Sequence, residues 1–225
     1  MTPTASATAA PPRRSVLLAG GSGLVGRELL DGLLADAAVA TVHVLGRRKL
    51  PLEHAKLAQH LVDFQALTGL PWVDEAFIAL GTTIKVAGSR EAFRAVDFDA
   101  VLAVAQAAKT AGATRLGVVS AMGADAHSRI FYNRVKGEME EAVRALRFES
   151  LVIARPSLLV GDRARLGQPV RPGEAIGERL SHWLAPVIPR HYRPIAARQV
   201  ARALLQALPA GRGVRVMLSG EMQYA

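Results

Sequence analysis

The sequence predicts an α/β fold built on a doubly wound, mostly parallel sheet, with a small C-terminal region beside it. Two observations support this fold class. Short apolar strands alternate with helical patterns along most of the 225 residues, and a glycine-rich turn joins the first strand to the first helix. Such alternation favours right-handed crossovers that place helices on both faces of a sheet. Half of the residues are hydrophobic, enough for the core of one such domain.

Each element follows from its own pattern. Strands are expected at short apolar or alternating runs, and helices at stripes with helical spacing. The predicted strands are 16–19, 41–45, 60–64, 75–80, 115–120, 151–154 and 214–218, and the predicted helices are 24–35, 90–111, 128–147, 174–184 and 199–208. Gly112 is the expected C-cap of the second helix, and Pro156 ends the sixth strand.

The chain divides into three predicted segments. Residues 1–12, rich in Thr, Ala and Pro, are expected to form a disordered tail without the features of a secretory signal. Residues 13–161 form the core of the domain. Within 162–225 a proline-rich excursion interrupts the alternation on the substrate side of the sheet, and a last helix and strand complete the same domain.

Composition restricts the possible functions. No apolar run approaches the ~18 residues of a membrane-spanning helix. Cysteine is absent, which excludes disulfides and a thiolate nucleophile, and no His, Asp or Glu spacing suggests a metal site. The net charge is +9, but the basic residues are scattered and not interleaved with aromatics, so a nucleic-acid partner is disfavoured. A cytoplasmic location is expected, and both monomer and homodimer remain open.

The turn after the first strand has the glycine spacing of a dinucleotide-binding loop. Gly20, Gly23 and Gly26 provide a tight turn, close backbone approach to a pyrophosphate and close packing of the helix. Gly21 also completes a tighter spacing with Gly23 and Gly26, so two variants of the loop remain open. The cofactor contacts expected here are Gly20, Ser22, Gly23, Leu24, Val25 and Gly26.

Two arginines follow the second strand, where an NAD enzyme often has an acidic residue for the ribose diol. Arg47 and Arg48 suit a 2′-phosphate, which guanidinium groups bind through paired hydrogen bonds. We therefore expect NADP in preference to NAD, the alternative being a solvated basic turn. Asp63, after the third strand, is either an acceptor for the adenine amino group or a surface residue.

A serine, a tyrosine and a lysine form the candidate catalytic set. Ser120 closes the fifth strand, and Tyr132 and Lys136 are four residues apart on one face of the next helix. In that arrangement the lysine ammonium stabilises tyrosinate and holds ribose hydroxyls. The tyrosine exchanges a proton with a carbonyl or alcohol whose oxygen the serine orients. The alternative is a half-buried Tyr beside a solvated Lys.

These motifs resemble the short-chain dehydrogenase/reductase superfamily over residues 15–161, and in particular its atypical Tat-interacting oxidoreductase subfamily. The matching segments are Leu45-Gly46-Arg47-Arg48-Lys49, Val62-Asp63-Phe64, Leu80-Gly81-Thr82-Thr83, Tyr132-x-x-Val135-Lys136-Gly137-Glu138, Arg155-Pro156, Gly161-Asp162-Arg163 and Arg171-Pro172-Gly173-Glu174. The resemblance implies a Rossmann domain that binds NADPH. It adds Phe64, Leu80, Gly81, Thr82, Pro156 and Leu158 to the expected cofactor contacts, together with Asp63, Tyr132 and Lys136.

The sequence also departs from the superfamily. No Asn is available for a fourth catalytic position, where Asp97 is the nearest polar residue, and Arg198-Gln199 replaces an Asp that extended members often carry. The short excursion leaves little material for a nucleotide-sugar pocket. His182, Trp183, His191 and Tyr192 either line a substrate pocket or pack the small lobe on the core.

Two functions follow from these residues. The first is an NADP-dependent oxidoreductase acting on a small carbonyl or alcohol, with Ser120, Tyr132 and Lys136 as its catalytic residues. The second is an NADPH-binding regulator or protein-interaction module with little or no turnover. The intact Ser/Tyr/Lys set favours the enzyme, because a regulator has no chemical need for all three residues.

Overall fold

Seven parallel strands form the central sheet of the computed structural model, which describes residues 13–160 and 193–224. Their order is β3-β2-β1-β4-β5-β6-β9. A separate parallel pair joins β7 to β8. The strands are β1 Arg14–Ala19, β2 Val39–Gly46, β3 Leu57–Leu61, β4 Glu75–Ile78, β5 Arg115–Val119, β6 Ser150–Arg155, β7 Leu159–Val160, β8 Ile195–Ala196 and β9 Gly213–Leu218.

Helices cover both faces of this sheet, which confirms the doubly wound α/β class. Alternate residues of β1 belong to different cores: Val16 and Leu18 pack with α1 and α6, whereas Leu17 and Ala19 pack with α4 and α5. The helices of the described residues are α1 Leu24–Ala35, α2 Ile84–Ala87, α3 Arg90–Arg94, a π-helical segment Ala95–Ala100, α4 Val101–Thr110, α5 Phe131–Ala145, α6 Ala197–Ala210 and α7 Ser219–Met222.

The third strand lies three residues earlier than the pattern 60–64 predicts. It pairs with β2 so that Val44 faces Gln59 and Gly46 faces Leu61, and both strands end together. The apolar residues Val62 and Phe64 follow the ladder and pack into the core on the α4 side. These two residues are apolar because they pack against the core. From the sequence alone, such packing cannot be distinguished from membership of a strand.

Two predicted helices differ from those observed. The helix expected at 90–111 is interrupted by the π-helical segment, whose wider turn carries the buried Asp97. The helix expected at 128–147 begins only at Phe131. Asp125 accepts backbone hydrogen bonds from Ser128 through its carbonyl and from His127 through its carboxylate, which holds the preceding residues in turns.

The order of the sheet places its switch point between β1 and β4. β2 and β3 lie on one side of β1 and the remaining strands on the other, and the neighbouring strands β1 and β4 end side by side at Ala19 and Ile78. Ligands of doubly wound sheets bind in the crevice outside such a point. The site is therefore expected above the carboxyl ends of these strands.

The C-terminal strand confirms the expected last element, since β9 pairs in parallel with β6. No helix in the described segments is long and apolar enough to cross a membrane. Three predicted features lie outside the described residues. They are the tail 1–12, the helix 174–184, and the aromatic and histidine cluster at 182–192.

Candidate functional site

The glycine turn is packed too tightly for side chains at two of its three positions. Gly20 has φ +93°, and a Cβ there would lie 2.5 Å from the carbonyl oxygen of Ala79. A Cβ on Gly26 would lie 1.9 Å from the oxygen of Gly20. Gly26 therefore lets α1 approach the turn closely, and Gly23 closes the turn by donating its N–H to Gly20 at 2.9 Å.

The start of α1 is open to an anion. Its N-cap is Gly23, which offers no side-chain cap, and its first turn contains no acidic residue. The N-terminal N–H groups and the positive end of the helix dipole thus have no competing carboxylate in that turn. This cradle fits the pyrophosphate of a dinucleotide, and Ser22, Leu24 and Val25 lie on the same turn and helix start.

The turn after β2 presents three basic side chains. Arg47, Arg48 and Lys49 are exposed, and within 13–160 and 193–224 neither arginine pairs with a carboxylate. The following residue, Leu50, is held by the side chain of Gln59, which accepts from its N–H at 2.7 Å and donates to its carbonyl at 3.2 Å. The basic turn is therefore anchored at its far end.

The residues after β3 have mainly local partners. Asp63 is exposed, and its carboxylate accepts the N–H of Gln65 at 2.9 Å. Phe64 is half-buried against the α4-side core. These contacts make Asp63 a turn residue that still has acceptor capacity toward solvent.

Lys136 is buried beside the turn that follows β4. Its ammonium lies 2.8 Å from Oδ1 of Asp97, and both side chains are almost completely buried. The other carboxylate oxygen of Asp97 accepts the backbone N–H of Thr82 at 2.8 Å. A Cβ on Gly81 would lie 3.4 Å from Asp97 Oδ1 and 3.8 Å from Lys136 Nζ. The structure thus brings together Gly81, Thr82 and Lys136 with Asp97, the nearest polar residue to the position where many superfamily members have a catalytic Asn. Leu80, just before them, packs into the α4-side core.

Tyr132 lies one turn before Lys136 on α5. Its ring packs against Phe93, with centroids 5.3 Å apart, and Phe93 is completely buried. In the part of the chain that the structure describes, the Tyr132 hydroxyl has no hydrogen-bond partner. The ring is therefore fixed by packing while its hydroxyl remains available.

Ser120 directly follows β5 and is held by a carboxylate that was not predicted from the sequence. Its hydroxyl donates to Oε1 of Glu140 at 2.6 Å, and both residues are buried. Arg155 binds the same carboxylate with Nε at 2.9 Å and Nη2 at 2.7 Å. The sequence signal for Glu140 was its position four residues after Lys136, which places an acid on the helix face that carries Tyr132 and Lys136.

The segment after β6 lines the same edge. Pro156 is buried, and its carbonyl accepts the N–H of Met122 at 2.9 Å, whereas Leu158 is about half exposed. Gly137 allows α5 to pack on the loop before it, because a Cβ there would lie 2.1 Å from the nitrogen of Ala126. No group of three or more His, Cys, Asp or Glu side chains within 13–160 and 193–224 could hold a metal ion.

Known proteins resemble this chain in sequence and in fold, although no protein-family model matches it. Protein HTATIP2 of Rattus norvegicus is 37% identical over 179 residues, which cover 76% of this chain and 69% of that protein. The mitochondrial protein fmp52 of Emericella nidulans is 37% identical over 172 residues, 72% of each chain.

Solved structures share the fold at much lower identity. MoeE5 in complex with UDP-glucose and NAD has a TM-score of 0.65 at 17% identity, covering 91% of this chain and 76% of that one. WbmG of Bordetella bronchiseptica in complex with NAD has a TM-score of 0.65 at 14% identity, covering 97% and 77%. At these identities the likeness concerns the fold alone.

The relatives also correct one expectation. The sequence suggested a cytoplasmic location, but that expectation is wrong, since the relatives from Emericella nidulans, Eremothecium gossypii and Aspergillus niger are named mitochondrial proteins. The family assignment depends on the 37% identity to Protein HTATIP2, which extends over more than two thirds of both chains. The seven-stranded doubly wound sheet agrees with it. The chain belongs to the same family as Protein HTATIP2.

Proposed function

We propose that the protein is an NADP-dependent oxidoreductase that interconverts a carbonyl compound and its alcohol. One observation carries the proposal: Lys136 is buried against the Gly81–Thr82 turn, and Tyr132, with an unpaired hydroxyl, is one turn away on the same helix. A charge buried at the carboxyl edge of the sheet, beside an available phenol, is an arrangement suited to acid–base work.

Each side chain has a defined part in this reaction. When bound, NADPH would supply the hydride for reduction of a carbonyl, and NADP⁺ would take up a hydride on oxidation of an alcohol. Tyr132 gives its hydroxyl proton to the carbonyl oxygen, and solvent returns a proton to it. Lys136 stabilises the tyrosinate through its positive charge and binds ribose hydroxyls. Ser120 orients the reacting oxygen.

The cofactor contacts proposed on the other strands follow the same edge. The glycine turn, Ser22, Leu24 and Val25 hold the pyrophosphate, while Arg47 and Arg48 bind the 2′-phosphate. The remaining proposed contacts line the adenosine or nicotinamide ends of the same crevice: Asp63, Phe64, Leu80, Gly81, Thr82, Pro156 and Leu158.

Cofactor preference is tested by fluorescence titration of the protein with NADPH and with NADH. The wild type should bind NADPH at least about tenfold more tightly, because hydrogen bonds to charged groups contribute about 1.5–3 kcal/mol each. The double variant Arg47→Ala/Arg48→Ala should lose this preference. The control Arg212→Ala/Arg215→Ala changes two exposed arginines, one just before the edge strand β9 and one on it. It removes the same charge and should keep the preference for NADPH. Equal affinities in the wild type would reject the preference.

Turnover is tested by NADPH consumption with aldehydes, ketones and quinones. Tyr132→Phe should lower kcat by about 10²–10⁴-fold, the range of general acid catalysis, while the Kd of NADPH stays within about threefold. A variant as fast as the wild type would mean that Tyr132 is not the acid. NADPH binding by the wild type without any turnover would favour the regulatory function.

A further inference from the structure

A buried carboxylate, that of Glu140, accepts a hydrogen bond from the hydroxyl of the candidate catalytic serine. Ser120 is 5% exposed and Glu140 is 2% exposed, and the serine hydroxyl donates to Oε1 of Glu140 across 2.6 Å. Glu140 stands two turns after Tyr132 and one turn after Lys136 on α5. The same helix face thus carries the proposed acid, the proposed lysine and this carboxylate.

Arginine side chains hold Glu140 in place from two elements. Arg155 on β6 binds both of its oxygens, and Arg144 on α5 lies 3.7 Å from Oε2. Hydrogen bonding to Glu140 raises the pKa of Arg155, an effect that partial burial opposes. A carboxylate held in this way is a stronger acceptor than a neutral substrate carbonyl.

We propose that Glu140 is a positioning residue that keeps the Ser120 hydroxyl proton turned away from the substrate. A serine hydroxyl has one proton and two lone pairs, so Ser120 then offers only acceptor capacity to the reacting oxygen. It accepts a hydrogen bond from an alcohol, and it donates none to a carbonyl. Tyr132 is left as the hydroxyl donor of the pair, and the site binds the alcohol more tightly than the ketone of the same skeleton. This inference rests on the proposed function.

The hydrogen bond itself is tested on the cofactor-free protein by NMR. The hydroxyl proton of Ser120, detected through its labelled Cβ, should exchange slowly with water in the wild type. Exchange should be at least about tenfold faster in Glu140→Gln, because a neutral acceptor binds the proton more weakly. Glu141→Gln changes the neighbouring, exposed acid in the same way and should leave the exchange rate unchanged. Equally fast exchange in the wild type and Glu140→Gln would overturn the proposal.

The consequence for substrate is tested with a matched pair of probes, 1-phenylethanol and acetophenone. Their Kd values are measured by ligand-observed NMR on protein loaded with 1,4,5,6-tetrahydro-NADP, a cofactor analogue that neither gives nor accepts a hydride. The wild type should bind the alcohol about 3–10-fold more tightly, the effect of one net hydrogen bond, and Glu140→Gln should bring the two within about twofold. Ser120→Ala should do the same and Ser120→Thr should restore the difference. If Glu140→Gln weakens both probes equally, its role is structural and the proposal fails.

Failure of the proposed function has a separate signature. If the wild type binds no NADPH, or if Tyr132→Phe turns over like the wild type, the oxidoreductase assignment fails whatever the exchange rates are. If NADPH binds and Tyr132 is required, but the Ser120 proton exchanges freely, only the role of Glu140 is rejected. If neither probe binds at the concentrations reached, the exchange measurement alone decides.

Discussion

Gly20, Gly23 and Gly26 differ in the space available at the position of a Cβ. At Gly20 and Gly26 a Cβ would meet backbone oxygens at 2.5 Å and 1.9 Å, whereas at Gly23 the nearest atom is 3.4 Å away. Backbone cannot move aside as a flexible side chain can, and both oxygens belong to residues that directly follow the paired strands β1 and β4. The same motif therefore contains two positions set by packing and one, Gly23, at which packing does not require a glycine.

This difference predicts an order of stabilities. Gly26→Ala and Gly20→Ala should each lower the free energy of unfolding by about 1–3 kcal/mol or more, the usual cost of overpacking. Gly23→Ala should cost less than about 1 kcal/mol, since its Cβ meets ordinary contacts. Urea denaturation of the three variants checks the order. A loss at Gly23 as large as at Gly26 would contradict this account.

The buried ion pair of Lys136 and Asp97 gives a second prediction for single residues. Asp97→Asn removes the charge beside a buried ammonium, and breaking such a pair typically costs 3–5 kcal/mol, about the loss expected here. Lys136→Met in the same background removes the unpaired charge and should recover much of the stability. The double-mutant cycle, followed by urea unfolding, measures the coupling. Additive losses would mean that the two charges do not interact.

The candidate catalytic residues could be predicted from the sequence, but the contacts of the residues that support them could not. Ser120, Tyr132 and Lys136 carry a recognisable spacing that places them at one edge of the sheet. Glu140 and Asp97 act through partners far away in the chain, on β6 and after β4, so no local pattern identifies their contacts. For Glu140 the sequence does indicate that a partner is needed, because an acid on a buried helix face is rarely left unpaired. It does not indicate which residue that partner is.

At the scale of elements, the basic turn after β2 is held at both ends. Gly46 ends β2, and its carbonyl accepts the N–H of Val62 at 3.0 Å. At the other end Gln59 of β3 holds Leu50 by two hydrogen bonds and donates a third to Leu52 at 3.0 Å. A turn fixed in this way loses less conformational freedom when it binds a ligand.

The clamp predicts a selective effect on the phosphorylated cofactor. Gln59→Leu keeps the size of the side chain but removes its hydrogen bonds, so NADPH should bind about 5–10-fold more weakly. NADH, which carries no 2′-phosphate, should change by less than about twofold. The titrations of both cofactors with this variant check the prediction. Equal weakening of both would indicate a general disturbance of the fold.

The pairing of β2 with β3 also brings two histidines together. His43 Nδ1 lies 3.0 Å from His60 Nε2, and burial, followed by the charge of His60, lowers the pKa of His43 below its ordinary value of 6.5. In the unfolded chain His43 takes up its proton first as the pH falls. The unfolded state then binds more protons, and stability decreases.

This linkage predicts how stability changes with pH. The contribution of His43 is fully present above pH 6.5 and is lost as the pH falls toward its lowered value in the folded protein. Urea unfolding is measured at about pH 7.5 and about pH 5. His43→Gln should reduce the difference between the two urea midpoints. His127→Gln, at an exposed position, is the control and should leave the difference as in the wild type.

The elements themselves were predicted with uneven success. α1 follows its apolar stripe, and its bounds agree with the pattern at 24–35. The third strand was misplaced because residues after its end are apolar for packing reasons, and the π-helical turn at Ala95–Ala100 has no sequence signal distinct from an α-helix. Periodicity reports burial, and both errors occur where burial and backbone hydrogen bonding diverge.

Over the whole molecule, the two ends of the sheet carry different groups of residues. The carboxyl end carries the glycine turn, Ser120 and the Lys136–Asp97 pair. The amino end carries an ion network in which Arg14 on β1 binds Asp36 after α1 and Glu75 on β4, the latter at 2.8 Å. Glu75 is fully buried, and burial raises its pKa while Arg14 opposes the shift.

This separation predicts that substitutions at the amino end of the sheet change stability without changing cofactor affinity. Arg14→Met leaves the buried Glu75 unpaired, so the free energy of unfolding should fall by about 3–5 kcal/mol, while the Kd of NADPH stays within about twofold.

The same variant should also have a changed pH dependence of stability. Without Arg14 the pKa of Glu75 in the folded protein rises further. The folded variant then holds a proton that the unfolded chain releases, and its stability decreases as the pH rises through this raised pKa. Urea unfolding across pH checks this slope, and Arg14→Met/Glu75→Gln should abolish it, because no carboxylate remains to titrate.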